Sequence, residues 1–400
     1  MTLRTSLLSG AVIVAAAPVL ADPTFNRGDR NTDFEPQSDS QFRAELVSSD
    51  MELERTTVAG GLVHPWGIDV LPEDAGYLVT ERSGQLRHVS EAGEMSDPIA
   101  GLPEVAAQEQ GGLLDVALGP DFSSDRMIYW TYAKPVEGGF VTAAARGVLN
   151  EELTEVTEVE DIFVQTPAAS APMHFGSRIV FDGEGHVFIT TGEHFTQEYR
   201  VLAQELDNTF GKVVRLNLDG SVPDDNPYVG DDSAMDEIWS YGHRNIQGAW
   251  MSDGQLWTIE HGPKGGDEIN LTEAGKNYGW PEISYGAQYS GNPVGSGEAQ
   301  AEGMEQPVYF WDPVIAPAGT VVYEGETFGA WSGDLLISSL HPGGIVRLVM
   351  EDGTVTAEER LVRDMGRVRD LAVDDDGTIL ALTDFEDGRL VRIAPAPSGN

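Results

Sequence analysis

The chain has no cysteine. Disulfides, thiolate nucleophiles and cysteine metal sites are therefore excluded, and any chemistry must rest on nitrogen and oxygen groups. Basic residues are scarce: Lys and Arg total 24 against 66 Asp and Glu, a formal net charge of −42 over 400 residues. Such an acidic surface repels phosphate backbones and anionic bilayers, which argues against nucleic acid and membrane surfaces as partners. It also suits a protein kept soluble at high salt. Beyond the N-terminus no run is apolar enough to span a bilayer, and helical periodicity is nearly absent.

The first 21 residues, MTLRTSLLSGAVIVAAAPVLA, carry one early arginine, an apolar run and small residues before the expected cleavage point. This pattern predicts a secretory signal peptide, too short and Ala-rich for a membrane span. Residues 22–49 are polar without a clear period and are expected as a flexible arm. From residue 50 to 397 the texture is uniform: short apolar strands, Gly-Asp turns and 46 glycines in the whole chain.

Those strands repeat. Each of six follows a turn: Gly76–Glu81, Met127–Tyr132, Gly185–Thr190, Gly254–Ile259, Gly333–Ser338 and Gly377–Leu382. Several lead through a second turn into an apolar strand with arginine, as at Gly84–Val89, Gly344–Leu348 and Gly388–Ile393. Six units at intervals of roughly 45–80 residues predict an all-β, six-bladed β-propeller of four-stranded antiparallel blades rather than a large β-sandwich. A propeller brings strand ends from every blade to one channel mouth, so residues far apart in sequence can share a site.

Four stretches carry chemical groups. Tyr241–Trp280 holds Arg244, Asn245, Gln247, Glu260, His261, Lys264, Asp267 and Glu268 among glycines, at both ends of the apolar strand Gln255–Ile259. Gln110 opens the second stretch, ending at Asp115. The third is His174-Phe-Gly-Ser-Arg178, with Glu193 beyond the next strand. An imidazole there is a natural general base, although a lone turn histidine is more often simply hydrogen-bonded. In Arg367-Val-Arg369-Asp370 the alternation puts two guanidiniums on one strand face. In so acidic a chain this suggests a local cationic pocket for a polyanionic small molecule.

These segments, with His64-Pro-Trp-Gly67 and Asn277-Tyr-Gly-Trp280, resemble the soluble, periplasmic pyrroloquinoline-quinone (PQQ) dependent aldose sugar dehydrogenases of the glucose/sorbosone dehydrogenase family. They fall in the family's order across nearly the whole mature chain. The resemblance implies a six-bladed propeller with PQQ over the channel mouth, oxidising aldoses at C1 to lactones by hydride transfer. It implies that His174 is the general base, with Gln110 and Glu193 beside it and the substrate. Arg244 and Asn245 lie against the quinone, and Arg367 and Arg369 bind the cofactor. The carbonyls of Gly262 and Pro263 hold the calcium that bridges PQQ, while Glu268 and Tyr278 serve a second, structural calcium. His261 and His341 occupy cofactor positions where some glucose-oxidising members have glutamine and lysine. Asp312, next to Trp311, stands where those members place a substrate tryptophan. The implied partners are an aldose and an unidentified electron acceptor, the implied location is the periplasm, and the implied assembly is a monomer or homodimer. Two other readings remain at this point: a calcium-dependent lactonase with carboxylates at its central metal, and a non-catalytic sugar- or protein-binding propeller.

Overall fold

Strands of five to ten residues, rich in β-branched and aromatic side chains and divided by tight turns, pair most readily with their sequence neighbours. In the computed structural model, which describes residues 25–49 and 51–397, they form six sheets arranged as the blades of a propeller. The expected signal peptide at 1–21 lies outside the described residues.

Each blade starts with an inner strand that touches the inner strands of its neighbours: Pro65–Val70, Leu113–Leu118, Gly176–Phe181, Ile246–Ser252, Pro317–Val322 and Val368–Val373. The second strands are Tyr77–Glu81, Met127–Val136, His186–Thr191, Gln255–Glu260, Leu335–Ser339 and Ile379–Thr383. These are the six repeats visible in the sequence.

Two blades depart from four strands. The first has three, Pro65–Val70, Tyr77–Glu81 and Gln85–Val89. Its outer edge is covered by an irregular stretch in which Met95 bridges Val89 and the Ser96 and Ile99 N–H groups donate to the His88 and Leu86 carbonyls, both at 2.9 Å. The fifth gains Glu45–Leu46, which pairs in parallel with Thr354–Leu361. The last blade closes the ring: Leu53–Leu62, from the start of the domain, pairs with Gly388–Pro395 at its end.

The N-terminal arm, expected to be flexible, is instead laid against the fourth and fifth blades. The Asn31 and Thr32 N–H groups donate to the Asp312 carboxylate at 2.8 and 3.0 Å, and Gln41 Nε2 donates to the Pro307 carbonyl at 2.7 Å. Apart from the two-residue pairing of Glu45–Leu46, side chains and single backbone groups hold it, so its sequence shows no strand period. Among the described residues no helix is long and apolar enough to cross a membrane.

Each of the six blade interfaces has its own apolar cluster. Between the fifth and sixth blades Trp331 is 1% exposed and stacks on Phe328 at 4.6 Å. Truncating such a ring to alanine typically costs about 3–5 kcal/mol.

The channel inside the ring is polar and closed by Arg178 of the third blade. Its guanidinium meets Asp115 of the second blade at 2.8 Å, Asp370 of the sixth at 3.2 Å and the Gln247 carbonyl of the fourth at 3.0 Å. Burial pushes the Asp115 carboxyl up to about 7 despite Arg178, and raises Asp370 as well. One side chain thus ties four blades together above a buried acidic pair.

Candidate active site

The two places in each blade that face one end of the channel are the residues before the inner strand and those after the second strand. Gln110, His174, Arg244, Asn245 and Arg367 occupy the first kind of position; Glu193, His261, His341 and Asp384 occupy the second. The fold therefore gathers onto one mouth residues drawn from Gln110 through Asp384.

His174 is 4% exposed and has a left-handed backbone, φ 51°. Its Nδ1 lies 3.2 Å from Glu193 Oε1, and its backbone N–H donates to Gln110 Oε1 at 2.9 Å. A carboxylate only accepts, so Nδ1 carries the proton and Nε2 keeps a free lone pair. Burial, then the Arg244 charge, pushes the imidazole below its usual range, so the ring is neutral at neutral pH. Burial would push the Glu193 carboxyl up, but its hydrogen-bonded partner His174 and the Arg244 and Arg200 guanidiniums hold it below its usual value. Gly192 lets the two residues approach: a Cβ there would stand 1.9 Å from the His174 carbonyl oxygen.

Arg244 is 3% exposed. Its backbone N–H donates to Glu260 Oε2 at 2.6 Å, while Glu260 Oε1 faces His243 Nδ1 at 3.0 Å. One guanidinium nitrogen donates to the His261 and Gly262 carbonyls, both at 2.9 Å, and the plane lies 5.2 Å from the Trp280 ring centre. Its Nε is buried with no partner among the described residues. Asn245 Oδ1 accepts from the Gly176 N–H at 3.1 Å, which fixes the start of the third inner strand.

Arg369 is buried beside Trp66, 4.7 Å from the ring centre, and donates to Gln247 Oε1 at 3.1 Å. It has no carboxylate within ion-pair distance among the described residues, and burial lowers its guanidinium to about 10. Arg367 is different. It is half-exposed and pairs with Asp384 at 2.6 Å, whose other oxygen faces His64 Nδ1 at 3.0 Å. His261 Nε2 lies 2.6 Å from the Pro317 carbonyl, and burial brings its ring down to about 3. His341 is exposed. It lines a cavity of about 240 Å³ between the arm and the fourth and fifth blades and shares no hydrogen bond with Arg244, Arg367 or Arg369 among the described residues.

Of the expected metal ligands, Gly262, Glu268 and Tyr278 line one cavity of about 10 Å³, the size of a single water or ion. Glu260 joins them there, and Pro263 does not line it. Gly262 is set by its neighbours: its N–H donates to Asp267 Oδ1 at 2.8 Å, and a Cβ would stand 2.2 Å from the Gly265 carbonyl. The Glu268 carboxyl is raised well above its usual value by burial and by the facing Glu260 charge. Among the described residues no three His, Asp or Glu side chains converge as a metal site.

The Trp311 backbone pairs with Asp267 and accepts from the Gly266 N–H at 2.8 Å, but the side chains of Trp311 and Asp312 are engaged elsewhere. Trp311 is buried with its indole N–H on Glu358 at 3.0 Å, and Asp312 is occupied by the arm. Sequence reasoning gave no role to Glu260, Asp384 or Trp66. The blade repeat itself held the signal for Asp384, which follows the sixth second strand as Glu193 follows the third.

A family model described as glucose/sorbosone dehydrogenase matches residues 62–392. The chain is 42% identical over 340 residues to the aldose sugar dehydrogenase YliI of Escherichia coli, covering 84% of this chain and 91% of that protein. The crystal structure of the soluble E. coli aldose sugar dehydrogenase in its apo form superposes with a TM-score of 0.83 at 40% identity, over 86% of this chain and 100% of that one. The PQQ-bound aldose sugar dehydrogenase of Streptomyces coelicolor gives a TM-score of 0.70 at 26% identity, over 86% of this chain and 98% of that one. The chain belongs to the glucose/sorbosone dehydrogenase family.

Proposed function

We propose that this protein oxidises aldoses at C1 to lactones with PQQ and calcium at the channel mouth. The observation that carries the reading is the pair of buried guanidiniums, Arg244 and Arg369, turned to the mouth beside a neutral, oriented histidine. Among the described residues Arg244 Nε has no hydrogen-bond partner and Arg369 has no carboxylate within ion-pair distance. A buried cation without an anion is costly, and a polycarboxylate cofactor supplies the missing charge.

The residues fit the implied groups. Arg369 and Arg367 would hold carboxylates of PQQ, Arg244 and Asn245 would lie against its quinone, and His261 would flank it. The carbonyls of Gly262 and Pro263 would bind the calcium beside it, a cation that takes backbone oxygens readily. Glu268, Tyr278 and Glu260 would hold a second calcium, which offsets their crowded carboxylates. When bound, PQQ supplies a quinone that accepts the hydride from C1, and calcium polarises that quinone.

The chain supplies the rest. His174 Nε2 removes the proton of the anomeric hydroxyl, and Glu193 stabilises the imidazolium that forms while keeping Nδ1 protonated. Gln110 fixes the backbone of His174 through its N–H. Arg244 opposes negative charge that develops at the mouth, in a setting where water is excluded and its effect is large. With that group bound, the sugar would give its hydroxyl proton to His174 and its C1 hydride to the cofactor, and would leave as the lactone. The segment at 1–21 would deliver the enzyme to the periplasm, where an acceptor reoxidises it; the assembly would be a monomer or homodimer.

The lactonase alternative needs side-chain carboxylates gathered at a central metal, and among the described residues no three His, Asp or Glu side chains converge in that way. A direct test supplies the purified protein with PQQ and calcium, then offers glucose with an artificial electron acceptor, and separately gluconolactone with calcium alone. Acceptor reduction only in the first assay supports the dehydrogenase. Lactone hydrolysis without PQQ overturns it, and failure in both assays points to a binding propeller.

A further inference from the structure

The mouth holds two aromatic rings that proton and hydride transfer do not use. Phe195 stands edge-on to the His174 ring, with centroids 5.1 Å apart and planes at 87°. Next outward comes Tyr289, 6.4 Å from Phe195 and tilted by 37°. Tyr289 is 64% exposed, more than any other large apolar side chain among the described residues, yet its hydroxyl lies 3.4 Å from an Arg244 guanidinium nitrogen.

Both rings are held in place. Tyr289 sits at the tip of a tight turn in which the Gly291 N–H donates to the Gln288 carbonyl at 2.7 Å and the Gln288 N–H to the Asn292 carbonyl at 2.9 Å. Lys264 and Ala287 exchange backbone hydrogen bonds at the base of that turn, at 2.9 and 3.0 Å, beside the Gly262-Pro263 pair. Phe195 follows His194 in a left-handed backbone, φ 57° and then 70°. Non-glycine residues rarely take that conformation and keep it where the surroundings enforce it. Here the second oxygen of Glu193 accepts the Phe195 N–H, so the carboxylate that orients the base also sets the ring.

A lone exposed tyrosine needs no explanation. A row of three rings stepping outward from the base to solvent, two of them fixed by residues of the site, does. The C–H faces of a pyranose pack on aromatic rings while its hydroxyls stay hydrated. We propose that Phe195 and Tyr289 form an aromatic wall of the substrate site, Phe195 beside the sugar being oxidised and Tyr289 against the next sugar unit. Tyr289 thereby raises the enzyme's preference for disaccharides and longer saccharides over monosaccharides. This rests on His174 marking where C1 is oxidised.

The test measures kcat and KM for glucose and for maltose with the parent, Tyr289→Ala and Tyr289→Phe, each loaded with PQQ and calcium. Calorimetric titration of the PQQ-free proteins with maltose accompanies it. Tyr289→Ala should lower kcat/KM for maltose about five- to tenfold more than for glucose, through KM, a difference of about 1–1.4 kcal/mol. Maltose binding in the titration should weaken in parallel. Tyr289→Phe keeps the ring and should keep the parent's maltose preference. Equal losses on both sugars, or no loss on either, overturn the inference while leaving the oxidation at His174 intact. Loss of maltose preference in Tyr289→Phe also overturns it, because the hydroxyl on Arg244 would then be the working part. A parent that oxidises neither sugar overturns both readings.

Discussion

Arg178 and Arg369 lie equally close to Trp66, each with its guanidinium carbon 4.7 Å from the ring centre. Both are buried, at 8% exposure, on inner strands of the same channel. Their partners differ. Arg178 meets two carboxylates and a carbonyl, whereas Arg369 has one amide oxygen. The pKa directions follow. Burial works against both charges; the Asp115 and Asp370 charges outweigh it at Arg178 and raise that group, whereas Arg369 falls to about 10. A satisfied buried cation is part of the scaffold, and an unsatisfied one is part of a ligand site. The waist of the channel is thus complete in the protein alone, while under the proposed function an anion would complete the mouth.

The largest effect should come at the mouth. His174→Ala removes the base without touching the arginines, and turnover should fall by about two to four orders of magnitude. PQQ affinity and the melting temperature should stay near those of the parent. Steady-state kinetics at saturating PQQ, with a melting curve, check both halves of that statement.

The waist should respond in the opposite way. Arg178→Ala leaves Asp115 and Asp370 buried without their cation, and breaking such a network from one side costs about 3–5 kcal/mol. Urea denaturation of the apo-protein should show that loss. Arg369→Ala should instead leave the urea midpoint unchanged or raised, because it removes an unpaired buried charge. Its PQQ dissociation constant should rise about 10- to 100-fold, the scale of a charge-assisted hydrogen bond. Arg367→Ala should do less, since that guanidinium is half-exposed and already paired with Asp384. A midpoint drop in Arg369→Ala equal to that in Arg178→Ala would erase the distinction between waist and mouth.

The smallest effect concerns pH. His174 must be neutral to accept a proton, and burial and Arg244 hold it below its usual value of 6.5. As pH falls the base is lost only once pH passes below that lowered value, so kcat/KM should hold at pH 6.5 and decline at lower pH. The Glu193 charge acts to raise the imidazole. Glu193→Gln should therefore move the acid limb further down, and the pH profiles of the two proteins read the sign directly.

The blades were legible because their signals are local. A strand, a glycine turn and the next strand fall within a few residues, so the six second strands stood out in the bare sequence. The arm was not legible, because Asn31 and Thr32 find their partner at Asp312, some 280 residues away, and no period marks such a contact. The site divides in the same manner. His174, Glu193 and Arg244 stand in recognisable motifs, and the structure joins them through Glu193, whose carboxylate faces His174 and whose backbone N–H donates to the Arg244 carbonyl at 3.1 Å. Asp312 could not be read, since the position where some relatives place a substrate tryptophan here anchors the arm. Tyr289 lies in a loop whose composition is that of any polar turn, and only the fold carries it over Arg244.

The most direct measurement is a titration of the calcium-loaded apo-protein with PQQ, following cofactor binding and glucose oxidation in the same samples. If the unpaired guanidiniums of the mouth await this anion, binding should saturate at one PQQ per chain and activity should rise in step with it. Arg369→Ala should shift both curves together to higher PQQ. Oxidation of glucose before any PQQ is added, or saturable binding that brings no activity, would contradict that assignment.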